Sequence, residues 1–352
     1  MAKLGMPTVV VKFIEAGIEA IQRSQRGIVA LILEDTKQVI DKLATKTNGH
    51  EVLPNPFLVY TVDDIPEELS DKNKDYILKA LKGYNKPPLK IVVYMMQQGG
   101  DKSGADRFQE PLKAMLTERF DYLAIPTIEN AQLEYVATWV KTARENKFKK
   151  IKVVLPGSNA DYEGVINFGN TKVFTADREY KPAEYTARIA GLVAGTNMTQ
   201  SATYAPLAEV IDCDRHTQDE MDAMVNEGKF FIWYDGEKFK MSRAMNSLVT
   251  TSQGKLEGYQ TIKIVDIMDM IYDDIRKTAQ DSYIGKYTND YENKCLLISA
   301  ILGYFKQLEN ERLLQKDYST CEIDCEAVRT YQLSHGLFTK EELAKMSDDE
   351  VK

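Results

Sequence analysis

The chain has 352 residues, 43% of them hydrophobic and 28% charged, with only 20 glycines and 11 prolines, so it holds material for two or three globular domains and is not a disordered or low-complexity protein. Its formal charge of −8 excludes a general nucleic-acid binder, which needs a basic face to displace the counterions of phosphate, and points to protein partners. The charge is uneven: residues 1 to 26 carry Lys3, Lys12, Arg23 and Arg26 against Glu15 and Glu19, a net of +2 that leaves −10 on the remainder, so a mildly basic arm precedes an acidic body.

The opening MAKLGMPTVVVKF lacks the charged head, apolar core and small-residue cleavage site of a secretory signal. The longest nearly apolar run, Cys295 to Phe305, is shorter than the roughly 18 to 20 residues that cross a bilayer. A cytosolic protein without membrane insertion is expected. Residues 8 to 14, TVVVKFI, alternate β-branched and aromatic residues in a strand pattern, with Val9, Val11 and Phe13 on one face and Thr8, Val10 and Lys12 on the other. Pro7 and Gly17 bound the strand and no hairpin partner follows. It is either an edge strand of its own sheet or an arm that pairs at a distance.

Gly27 to Glu34 is a continuous apolar run of buried-strand length, and Phe57 to Val62 reads as a further strand. Between them, residues 41 to 56, with NGH and PNP, read as a surface loop. Ser70 to Tyr84 is a helix with a serine cap, ended by Pro87-Pro88. The pattern then alternates: strand Leu89 to Met96, helix Gly104 to Phe120, strand Tyr122 to Ile125, helix Ala131 to Lys147, strand Ile151 to Leu155. Such alternation predicts a parallel α/β sheet, because only helical crossovers return the chain to the same end. Strands at 164 to 168 and 171 to 174, helices at 183 to 194 and 217 to 227, and strands at 229 to 234 and 238 to 243 complete this region. After TTSQGKLEG the character changes. Ile264, Met268, Ile271 and Ile275, then Leu297, Ile301, Tyr304, Phe305 and Leu308, follow helical spacing, so an α-rich domain begins near 250 and two short helices close the chain.

Chemistry finds little foothold. The four cysteines, at 213, 295, 321 and 325, offer one C-x3-C with no second pair or nearby histidine at metal-ligand spacing, and read as free thiols. His50, His216 and His335 sit in no recognisable catalytic motif, and no G-x-S-x-G, H-E-x-x-H or EF-hand loop is present. Asp273-Asp274 and Asp348-Asp349 are neighbours that point about 100° apart on a helix, and read as a solvated face. The segment QQGGDKSG, 97 to 104, follows a strand and opens a helix, where α/β folds bind phosphate, but fits neither phosphate-loop pattern. An α/β enzyme binding a phosphorylated small molecule at the 97–104 loop is the alternative function. No catalytic, cofactor-binding or metal-ligating residue is expected otherwise.

Several segments together resemble contractile tail sheath proteins of Gram-positive phages and R-type bacteriocins: RGIVALILED (26–35), ARIAGLVAGTNMTQSATYAPL (187–207), SRAMNSLVT (242–250), IKIVDIMDMIYDDIRKTAQDSYIGKYTNDYENKCLLISAI (262–301) and, more weakly, PTVVVKF (7–13). The resemblance covers nearly the whole chain. It implies an α/β and α+β fold with a subtilisin-like central domain lacking protease activity: an N-terminal arm (1–25), a small β-rich region (26–88), the α/β sheath domain (89–249) and a C-terminal α-rich domain (250–352) that faces the tube axis. It further implies a structural, non-enzymatic subunit that polymerises as hexameric rings into a helical tube around an inner tail tube and contracts to drive that tube through a cell envelope. Its partners would be copies of itself, the inner tail tube protein, and baseplate and terminator proteins. It would reside in the bacterial cytoplasm during assembly and then in a phage virion tail or phage-tail-like particle. The arm strand, Thr8, Val9, Val10, Val11, Lys12, Phe13 and Ile14, is the expected assembly site, pairing with the sheet of a neighbouring copy. Members of that family usually continue past the last helix into a C-terminal strand, for which Ser347 to Lys352 give no counterpart; either that arm lies beyond residue 352 or this version lacks it.

Overall fold

The structure is a computed structural model and describes residues 20–45, 55–99 and 104–351. It divides into two compact units, one spanning Ser24–Asp273 and the other comprising the described residues of 20–23 and 274–351.

In chain order the first unit contains β1 (Ile28–Asp35), α1 (Lys37–Thr45), β2 (Phe57–Val59), α2 (Asp71–Leu81), β3 (Lys90–Gln97), α3 (Gln109–Met115), β4 (Tyr122–Ala124), α4 (Leu133–Glu145), β5 (Lys152–Pro156), β6 (Val165–Phe168), β7 (Val173–Thr175), β8 (Glu179–Tyr180), α5 (Pro182–Ala194), β9 (Val210–Cys213), α6 (Gln218–Asn226), β10 (Lys229–Phe230), β11 (Ile232–Tyr234), β12 (Phe239–Met241) and the first turns of α7 (Ile262–Thr278). Seven strands form one sheet in the order β10-β6-β5-β4-β1-β3-β2. All neighbours are parallel except β2, which joins β3 antiparallel at the edge. The expected parallel α/β sheet is therefore present. The interior strand β1 is apolar from Ile28 to Leu33 because both faces are covered there. Val29, Leu31 and Leu33 enter a core with α2 and α5, while Ile28, Ala30 and Ile32 enter a second core with α3 and α4.

Helices α2 and α5 pack closely because Gly191 has no side chain, and a Cβ there would lie 2.0 Å from the Ala80 carbonyl oxygen. The remaining strands make two small sheets, β8-β7-β9 and β11-β12. Beyond Asp273 the second unit is helical among the described residues: the end of α7, a π turn at Ala279–Tyr283, α8 (Tyr291–Asn310), α9 (Cys325–Ser334), α10 (Lys340–Leu343) and α11 (Asp348–Val351). Asp290, Asp324 and Thr339 cap α8, α9 and α10 by accepting backbone N–H bonds. Tyr304 donates to Asp274 at 2.6 Å.

The structure departs from the sequence reading at several points. The 26–88 region is not separate, since β1 pairs with β3 on one side and β4 on the other and lies inside the sheet. The compact units part at Asp273, inside α7, because Asp266 and Asp269 bind side chains of the sheet body and keep the first turns of α7 with it. Residues 41–45, read as loop, belong to the amphipathic α1, whose Leu43 enters the core. Strand β2 stops at Val59 because the N–H groups of Tyr60 and Thr61 turn to the Asp64 carboxylate, at 2.9 and 2.8 Å. The helix expected from Gly104 begins as a 3-10 turn, Gly104–Phe108, and its α part ends at Met115.

Candidate assembly site

The arm residues Thr8 to Ile14 lie outside the described residues, as do 100–103 within the 97–104 segment and His50. Three regions of the first unit are open to a functional reading.

The first is the carboxyl end of the sheet, where β1 and β4 diverge and open α/β sheets keep their ligand crevices. A cleft of about 640 Å³ lies there, lined in part by Glu34, Asp35, Ser70, Asn73, Tyr76 and Glu184. Asp35, at the end of β1, stands where a catalytic acid would be useful, yet its partners are structural. Its carboxylate accepts N–H bonds from Thr36 (2.8 Å) and Ser70 (3.0 Å) and the Asn73 amide (2.8 Å). Burial opposes its charge, but these donors hold the carboxyl below its ordinary value. Asp35 thus serves as the anion at the amino end of α2. Glu34 is held by Arg107 and by Thr127, whose hydroxyl donates at 2.6 Å. Of the described histidines, His216 sits edge-on to Phe231 and His335 stacks on Tyr331; neither lines the cleft.

The second region, at the amino end of the same sheet, is a buried ionic network. Arg144 grips Asp269 through both terminal nitrogens, each at 2.9 Å, and Lys152 donates to Asp269 at 2.6 Å and lies 3.0 Å from Asp266. Tyr122 also donates to Asp266, at 2.5 Å. Arg26 joins Asp121 (2.8 Å), Asp273 (2.7 Å) and the Asp269 carbonyl (2.6 Å), while Asp121 accepts from the N–H groups of Gly27 and Ile28. Burial resists the Asp269 charge, and Lys152 and Arg144 overcome it and hold the carboxyl below its ordinary value. Asp273 is shifted up, burial outweighing Arg26. The network joins RGIVALILED to IKIVDIMDMIYDD, two of the segments that carry the resemblance. Sequence reasoning missed it and set Asp273-Asp274 aside as a solvated face. Instead Asp273 pairs with Arg26, and Asp274 is buried and accepts from Tyr304. The available signal was the spacing of Asp266, Asp269 and Asp273, which puts three carboxylates on one side of a helix.

The third region is the β2 edge, which no strand covers among the described residues. Leu58, Tyr60 and Val62 there are 38%, 53% and 58% exposed. Asp63 and Glu67 follow, exposed. Among the described residues no group of His, Cys, Asp or Glu side chains is placed to hold a metal ion, and no helix is long and apolar enough to cross a membrane.

The comparisons with known proteins agree with this architecture. Residues 101–247 match the phage tail sheath protein central domain, and residues 255–341 match the phage tail sheath C-terminal domain. The tail sheath protein of Clostridium phage phiCD119 is 32% identical over 99% of this chain and 91% of its own length. The fold resembles the sheath tail protein of Desulfitobacterium hafniense, with a TM-score of 0.69 at 18% identity over 86% of this chain and 89% of that one. It also resembles the contracted helical sheath of the anti-feeding prophage, with a TM-score of 0.63 at 13% identity over 88% and 84%. With residues 101–247 and 255–341 matched and a relative aligned almost end to end, the chain belongs to the phage tail sheath family and is a structural tail sheath subunit.

Proposed function

We propose that the subunit polymerises into a contractile helical tube, through hexameric rings stacked around an inner tail tube, and that contraction drives the inner tube through a cell envelope. In this reading the assembly meets the inner tube protein, baseplate and terminator proteins, and forms in the bacterial cytoplasm before serving in a virion tail or a phage-tail-like particle. The carrying observation is the end-to-end likeness to a tail sheath protein. The network around Asp269 supports the reading, because a subunit that transmits force needs a body whose elements move together.

Copies are linked by strand 8–14 of one subunit adding to the sheet of another. A seven-residue strand with no near partner leaves backbone N–H and C=O groups to be satisfied by an open sheet edge. The purified protein should form striated hollow tubes under the electron microscope. Val10→Pro, which removes a donor and fixes φ, should abolish them while leaving solubility and cooperative thermal unfolding intact. Tubes formed as readily by Val10→Pro as by the parent would overturn strand exchange. The subunit acts without catalysis, the carboxyl-end cleft being a structural remnant of the fold.

A further inference from the structure

We infer that the folded bodies of two copies meet knob to pocket: Phe148 of one copy, on a basic loop, enters an aromatic pocket between α6 and β11 of another. The inference rests on the polymerisation reading above and does not depend on the arm.

The knob closes the end of α4. Asn146 N–H donates to the Thr142 carbonyl and Lys149 N–H to the Ala143 carbonyl, both at 2.9 Å, and between them Phe148 takes a left-handed conformation with φ of 55°. Helices usually end on glycine or asparagine at such a residue, because a larger side chain is strained there. Phe148 is nonetheless 52% exposed, so the strain does not serve to bury the ring. Strained residues persist where their surroundings hold them, and they concentrate at functional surfaces. Here the surroundings do hold: the Lys149 ammonium donates to the Leu116 and Glu118 carbonyls, and that of Lys150 lies 4.5 Å from the centre of the Tyr272 ring. A side chain presented from a fixed loop loses little freedom on docking.

The pocket, about 480 Å³, is lined by Tyr204, Met221, Val225, Phe231 and Trp233. Tyr204 is likewise left-handed, with φ of 58°, and its N–H donates to the Met241 carbonyl at 3.1 Å. Its ring stands 60% exposed and lies 6.0 Å from that of Trp233, tilted by 60°. Aromatic walls with a thioether beside them suit an entering phenyl ring. Charge selects the occupant. Asp222 lines the pocket, and residues 217–227 carry Asp219, Glu220, Asp222 and Glu227, all exposed, with no basic residue; Arg243 is the cation of the lining. The knob, residues 147–150, carries Lys147, Lys149 and Lys150 with no acidic residue, so the two surfaces attract in one orientation.

The occupant is a second copy because one body keeps knob and pocket apart. Phe148 precedes the amino end of β5, whereas α6 leads into β10 beside the carboxyl end of β6. A contact between two different patches of identical chains is heterologous, the type that generates rings and helices.

The test uses full-length chains with a photocrosslinking residue at position 148, prepared isotopically heavy and assembled with light chains. Cross-links from heavy position 148 to light residues 221–233 are the expected result. Heavy-to-light cross-links that map elsewhere, or cross-links confined to heavy chains, would overturn the contact while polymerisation stands; a parent chain that forms no tubes would sink polymerisation and the contact with it. Phe148→Gly relieves the left-handed strain, so thermal unfolding should be unchanged or higher while the critical concentration for tubes rises about tenfold or more. A critical concentration that does not rise rejects the knob. Lys147→Glu and Asp222→Lys should each raise it severalfold and together restore it, and a double variant no better than either single one rejects the charge match.

Discussion

At Asp269 two cations converge on one buried carboxylate, so the effect of removing it is set by what is left behind. Asp269→Asn would strand Arg144 and Lys152 without their counter-charge, and breaking a buried pair in this way costs about 3–5 kcal/mol. Asp273→Asn should be far milder, because burial already disfavours that charge. Thermal unfolding of the two variants checks the contrast, and similar losses would refute it. The pH dependence has a definite sign. The Asp269 carboxyl is lowered in the fold, so its contribution is complete above the ordinary aspartate value of about 4 and fades as pH falls through its lower folded value. The Lys152 amine is shifted up; burial alone would lower it, but Asp269 and Asp266 prevail. Its contribution holds below about 10.4 and is lost as pH climbs past its folded value. Stability of the first unit should therefore persist between about pH 4 and 10, and Asp269→Asn should flatten the acid limb of the profile.

At the scale of elements, the contact between α2 and α5 depends on one absent side chain. Gly191→Ala would drive a methyl into the Ala80 backbone and should cost about 1–3 kcal/mol or more as the helices separate. Gly303, within α8, has no atom within 4 Å of an added Cβ, so Gly303→Ala should instead stabilise by about 0.5–1 kcal/mol. Denaturant unfolding of both would settle the sign of each. Alternation of apolar strands with amphipathic helices made the parallel sheet legible before any coordinates. The short strands were not legible: β9, with Val210 and Cys213 buried and Ile211 and Asp212 exposed, has no alternating pattern and exists because β7 pairs with it. Local pattern is informative where an element is long enough to repeat its period, and β8 and β9 are not.

For the whole molecule, the cleft at the carboxyl end of the sheet is the place to test inertness. Asp35 is engaged by Thr36, Ser70 and Asn73, so the purified protein should show no peptidase, esterase or phosphatase turnover; activity that tracks with the protein and vanishes in Asp35→Asn would contradict the structural role. Composition, helix and strand periods and the order of small, aromatic and charged residues in 187–207 and 262–301 were enough to determine the class of fold, the helical character of the C-terminal region and the family. These properties are local in sequence or carried by composition. Tertiary structure alone decided that β1 is an interior strand of the sheet and not part of a separate region, and that α7 begins inside the first unit. It also decided that Asp266, Asp269 and Asp273 face Lys152, Arg144 and Arg26 instead of water. Those facts join residues far apart in the sequence, such as Ile28 with Lys90 and Arg26 with Asp273. Whether a carboxylate is solvated or paired depends on which distant cations the topology brings to it, and that is not written in its neighbours.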